Sequence, residues 1–111
     1  MIEKIVMDYL KDSLEMDVFG EFPENPPSSF LVLEKTGSRK DGMIDFSTIA
    51  IQSYAPTLYM AAELNLRVKA VMEDIMDLPS INEAELNGDY NFTDLEMKRY
   101  RYQAVYEITH Y

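Results

Sequence analysis

Few side chains in this sequence are able to carry chemistry. His110 is the only histidine and cysteine is absent, which removes thiolate nucleophiles, disulfides and thiolate zinc sites. An exposed strand end is the ordinary environment of a histidine so placed, and without a second imidazole a metal centre would rest on carboxylates alone. Carboxylates are plentiful, twenty Asp and Glu against ten Lys and Arg. Pairs such as Glu73 with Asp74, or Glu83 with Glu85, do acid–base work only where a pocket drives their pKa values apart; as sequence they read as solvated faces. Glu83, Glu85, Asn87, Gly88, Asp89 and Asp94 echo the oxygen spacing of a calcium loop, but the first position is not Asp and the last is not Glu, and Asn87-Gly88-Asp89 reads as a turn. Asn91-Phe92-Thr93 matches a glycosylation triplet with no export signal beside it. Gly20, Gly37, Gly42 and Gly88 stand singly at expected turns, so neither a phosphate-cradling loop nor a nucleophile elbow is encoded. No catalytic, cofactor-binding or metal-binding residue is expected.

Charge points to surfaces instead. The formal net charge is −10, a field that repels phosphate and argues against nucleic-acid binding. The basic residues that exist are clustered: Lys35, Arg39 and Lys40 form one knot, and Lys98, Arg99 and Arg101 a second. Each knot is a solvated loop or strand end, or a docking site for an acidic protein surface, and these six residues are the candidate interface. Eight tyrosines and eight methionines suit a subunit that packs against neighbours as well as against its own core.

The elements that must position these residues follow from periodicity. Ile2, Ile5, Val6, Tyr9, Leu10 and Leu14 mark an amphipathic helix. Pro23, Pro26 and Pro27 confine residues 17–29 to a short edge strand near 18–22 and an ordered loop. FLVLEK at 30–35 is a strand stopped by Thr36-Gly37, and residues 43–54 form a second strand, with Ile44, Phe46, Thr48 and Ala50 on one face and Ile49 and Ile51 on the other. TGSRKDG between them is expected to be a long, mobile, basic-tipped loop. Pro56 belongs in the first turn of a second helix whose stripe is Leu58, Ala61, Leu64, Val68, Val71, Ile75 and Leu78, ended by Pro79, with Glu63–Arg67 and Lys69–Glu73 as outer i,i+4 pairs. INEAELN at 81–87 alternates, and residues 90–93 extend its ribbon beyond a bulge. A final strand puts Tyr100, Tyr102, Ala104, Tyr106 and Ile108 on one face. The expected fold is a single α+β domain over residues 1–111: a mostly antiparallel sheet of four to five strands with two helices on one face, in the order α-β-β-α-β-β. No apolar run approaches the roughly 20 residues that cross a bilayer.

In this arrangement the chain resembles the tail-terminator, or tail-completion, proteins of long-tailed bacteriophages. The resemblance spans nearly the whole sequence: the first helix, the proline-bearing loop before FLVLEKTG, the strand DFSTIAIQSYA running into the Pro56 helix, and above all KRYRYQAVYEITHY. It implies a structural virion protein, made in the host cytoplasm, that closes into a ring of typically six copies. Such a ring caps the tail tube, ends its polymerisation and offers a surface to the head–tail connector, while DNA passes through unread. No cofactor, no enzymatic activity and no membrane contact are implied. Ring closure requires heterologous contacts, one patch meeting a different patch on the next copy, and residues 35–43 are then expected to be flexible in the free subunit and ordered in the ring. The competing readings are a head-completion or stopper subunit below the portal, a host α+β module that dimerises through a sheet edge, and, least favoured, a small carboxylate enzyme.

Overall fold

The computed structural model describes residues 1–111. Helix α1 (Ile2–Leu14) buries Ile2, Val6, Leu10 and Leu14, one residue per turn, and closes on Glu15 in the left-handed conformation. Strand β1 (Val18–Phe19) is short. It is followed by β2 (Phe30–Asp41), β3 (Ile44–Tyr54), helix α2 (Leu58–Met72), a 3-10 turn (Ile75–Asp77), β4 (Ile81–Asn91) and β5 (Arg101–His110). The five strands form one sheet in the order β1-β2-β3-β5-β4. Only the β1–β2 pair is parallel. This is the α+β architecture expected from the sequence.

Both helices lie on one face of the sheet. Val6, Leu10, Leu64, Val68 and Met72 pack on Leu31, Leu33, Ile49, Ile51, Ala104, Tyr106 and Ile108 in a single core. The period-2 alternation of strands explains the choice: Ile49, Ile51 and Ser53 of β3 face the helices, and Ala50, Gln52 and Tyr54 face away. The Tyr9 hydroxyl donates to the Val71 carbonyl and ties the two helices together. On the far face Phe30, Val32 and Tyr54 form a second, smaller cluster, covered by Phe19 and Phe22 from the proline-rich segment. At this end of the sheet both faces are therefore covered by the chain itself.

Several local expectations are corrected. Residues 36–42 are not a loop: β2 runs through them to Asp41 and turns into β3 over Gly42-Met43 alone. Gly42 has φ +63, the first-position glycine that a two-residue hairpin turn of primed type requires. Thr36-Gly37 does not stop the strand but shifts its register, so that Lys35 faces Ile49 and Gly37 faces Thr48; a bulge absorbs the extra residue. Asn87-Gly88 is likewise a bulge inside β4, and the chain reverses only beyond Asp94, which bridges Arg99. Pro56 precedes α2 rather than entering it. Thr57 is the N-cap, its hydroxyl accepting from the Met60 amide at 3.1 Å, and the helix ends at Met72, with Ile75 reaching the core from the 3-10 turn. Lys69 reaches across to Asp89 at 3.0 Å instead of pairing with Glu73, and Glu63 and Arg67 form no ion pair.

The hairpin of β2 and β3 outruns its support. The first four residues of β2 are buried and the remaining eight exposed. A helix of 13 residues spans about 20 Å, whereas a strand of 12 residues spans about 40 Å. Residues 36–43 form an exposed edge arm, and β3 beside them stays paired with β5 as far as Asp45 and His110, so only the turn at Gly42-Met43 extends past the sheet in a molecule measuring 43 × 25 × 24 Å.

Candidate functional site

The two basic knots lie at opposite ends of the sheet. Lys40 pairs in register with Asp45 at one end of β3, and Arg101 with Tyr54 at the other, nine residues or about 30 Å away. They do not form one patch.

On the arm, each cation already has a weak internal contact. Lys35 projects to the helix face and meets Glu3 at 3.8 Å, Lys40 meets Asp45 at 3.6 Å, and the Arg39 guanidinium lies 3.8 Å over the Phe46 ring on the far face. Arg39 and Lys40 remain exposed, as do Thr36, Gly37 and Ser38 around them. Exposed ion pairs of this kind contribute about 0.2–1 kcal/mol, so these charges are free to exchange partners.

The second knot is built into the fold. The Arg99 guanidinium sits 4.0 Å over Phe22, and Arg101 lies 4.4 Å from the Phe92 ring. Arg101 also donates to the Phe92 carbonyl and to the Tyr54 hydroxyl, both at 2.6 Å. From there a chain of hydrogen bonds crosses the far face: Tyr54 donates to Gln52, Gln52 Nε2 donates to Gln103 Oε1 at 2.9 Å, and Gln103 donates to Tyr90. Of the three, only Lys98 is exposed, held at φ 53 in the connection before β5. Beside it a cleft of about 260 Å³ is lined by Phe22, Pro26, Phe30, Tyr54, Lys98 and Arg99, among others. The stacked Phe30 and Tyr54 rings, 4.7 Å apart, form its wall. Sequence reasoning named the cations but missed this wall; the unbroken apolar run Phe30-Leu31-Val32-Leu33, which implies burial on both sheet faces, was the signal for it.

His110 is not an exposed strand end. It is 8 % exposed, and its Nε2 lies 2.8 Å from the Oγ of Ser47, itself 2 % exposed. Nucleophilic catalysis needs a serine open to substrate and a base oriented by a third group. Here Ser47 is enclosed, and His110 Nδ1 faces the Tyr111 carbonyl at 3.4 Å rather than a carboxylate. The pair is an interior hydrogen bond between β3 and β5. No three histidine, aspartate or glutamate side chains converge in a metal-binding group, and of the residues of the calcium-like spacing all but Asp94 lie along one continuous strand. Asn91-Phe92-Thr93 forms a turn in which the Asn91 side chain accepts from both the amide and the hydroxyl of Thr93. No helix is long and apolar enough to cross a membrane.

No protein-family model matches this chain, and no curated protein matches it in sequence.

Proposed function

We propose that this protein is a structural subunit that closes into a ring on the end of a phage tail tube, stops tube growth and presents a surface for joining the tail to the head. The observation that carries this reading is the arm. Residues 36–43 are exposed, and residues 37–41 are an edge strand whose outer backbone groups have no neighbouring strand in the subunit, a ready template for pairing with another chain. An edge of this kind gains hydrogen bonds against a partner. The resemblance of the helix–hairpin–helix–hairpin order to tail terminators supplies the kind of partner: copies of itself, the tube protein below and the connector above. The far-face aromatic wall with Lys98 and Arg99 offers a second contact surface, at the opposite end from the arm. A net charge of −10 suits a ring through which DNA slides without being held.

The test is genetic and structural. In a lysate lacking this gene, electron microscopy should show tails of uncontrolled length, and purified protein added to isolated tail tubes should bind their ends. Tails of normal length would defeat the proposal. Binding to filled heads but not to tubes would transfer the protein to the stopper role.

A further inference from the structure

The sheet has two free edges, one mixed with a cationic excess and the other purely acidic. On one side β1 covers β2 only at Leu31 and Val32, so from residue 33 to residue 41 the outer edge of β2 has no neighbour. This edge carries Lys35, Arg39 and Lys40 against Glu34 and Asp41. On the other side β4 is the last strand, and its charged residues are Glu83, Glu85 and Asp89, with no Lys or Arg. Glu83 and Glu85 are exposed and have no cationic partner within the subunit. Glu85 stands directly opposite Glu107 of β5, a like-charge pairing that destabilises a sheet unless a cation comes between.

From these edges we infer that the ring is closed by strand addition, the arm edge of β2 in one copy pairing with the β4 edge of the next. This rests on the ring reading above and names its contact. Chain direction fits it. β2, β3, β5 and β4 alternate in direction through three antiparallel pairs, so β4 runs opposite to β2, and copies succeeding one another about an axis along the strands meet antiparallel. Bulges bracket the regular part of each edge, at Thr36 in β2 and at Asn82 and Asn87 in β4, leaving residues 37–41 to meet residues 83–86. Face alternation fixes the rest. Arg39 and Gly37 lie on the far face with Glu83 and Glu85, and Ser38 and Lys40 on the helix face with Ala84 and Leu86. The register with Arg39 opposite Glu83, Ser38 opposite Ala84 and Gly37 opposite Glu85 sets Arg39 directly across from Glu83 and diagonal to Glu85, with Asp41 directly opposite neither glutamate. Pairing β4 with its own copy would oppose glutamates to glutamates, so the isologous dimer is disfavoured and the head-to-tail contact favoured.

Two full-length variants test this by native mass spectrometry and light scattering. R39E/K40E makes the arm edge acidic, and E83K/E85K makes the β4 edge basic. Each alone should be a folded monomer at concentrations where wild type is a ring. Mixed in equal amounts they should form rings containing both variants in alternation, because each altered edge then meets its complement. Rings formed by either variant alone, or no recovery on mixing, overturn the edge contact while leaving the wild-type ring standing. Wild type that stays monomeric at all concentrations overturns the ring itself. As an independent check in this cysteine-free chain, S38C/A84C should give disulfide-linked ladders on oxidation; wild-type-like rings from this variant without cross-links would exclude the stated register.

Discussion

Asp89 joins α2 to the edge of the sheet, and its removal should cost more than an exposed ion pair would. Its Oδ2 accepts from Asn65 Nδ2 at 2.7 Å and from Lys69 Nζ at 3.0 Å. Asn65 is 2 % exposed and its own Oδ1 has no partner, so Asp89→Ala leaves the whole amide buried and unsatisfied. An orphaned buried polar group costs about 1–3 kcal/mol. The Lys69 pair, about a quarter exposed on each side, adds about 0.2–1 kcal/mol. The expected destabilisation is therefore about 2–3 kcal/mol, read as a lower urea midpoint at unchanged slope. The decisive comparison is Asn65→Leu in the Asp89→Ala background. Replacing both partners by apolar groups removes the unpaired amide, so the double variant should recover at least about 1 kcal/mol, and Lys69→Met alone should cost less than about 1 kcal/mol. A loss below about 0.5 kcal/mol for Asp89→Ala, or a double variant less stable than the single one, would refute the reasoning.

Burial, reinforced by the Asp89 and Glu73 carboxylates, pushes the Tyr106 phenol up from 10.0 to about 12. The fold thus favours the neutral phenol: that stability is fully present below pH 10 and is lost as pH rises towards 12, a decline on the order of 2 kcal/mol that Tyr106→Phe should largely abolish in alkaline denaturation. Phe30 is 3 % exposed and touches Phe19, Phe22 and Tyr54. Phe30→Ala should cost about 3–5 kcal/mol in thermal or urea unfolding and loosen the 98–101 segment that leans on Phe22, seen as faster trypsin cleavage at Lys98 and Arg99. The amides of residues 37–41 that point away from β3 should exchange with solvent within seconds in the free subunit and be protected in the ring; equal exchange in both states would argue against arm docking.

Most of the architecture was legible because apolar periodicity is written directly into these elements. The one-per-turn spacing of α1 and the alternation of β5 each led to the observed element and core face. The two misplaced turns share one cause, the reading of glycine as a terminator. Gly37 and Gly88 sit beside bulges in strands that continue, since a residue without Cβ weakens a strand locally while neighbouring strands still pair with it. Composition near a glycine cannot distinguish a bulge from a turn; the pairing partner decides. His110 differs from its expected exposure for a physical reason: β5 lies between β3 and β4, so its last residue is enclosed from both sides.

The candidate site was less legible because its determinants are relations between distant segments. Six cations could be named from sequence, yet their fates differ by environment. Arg99 and Arg101 are drawn into aromatic contacts by Phe22, Phe92 and Tyr54, residues whose proximity depends on how the proline-rich segment folds over the sheet. Arg39 and Lys40 stay available because they lie on an edge strand, Arg39 on the face opposite the helices. That position links fold to function: β1 covers only the Phe30 end of β2 and leaves the rest of its outer edge bare. An uncovered strand edge is an aggregation hazard unless charge restricts its partners. Here one edge is mixed with a cationic excess and the other purely acidic, so the charges that deter self-pairing of β4 also select the edge that fits it. The same bare edge that is a hazard in the isolated subunit would set the direction of the proposed ring.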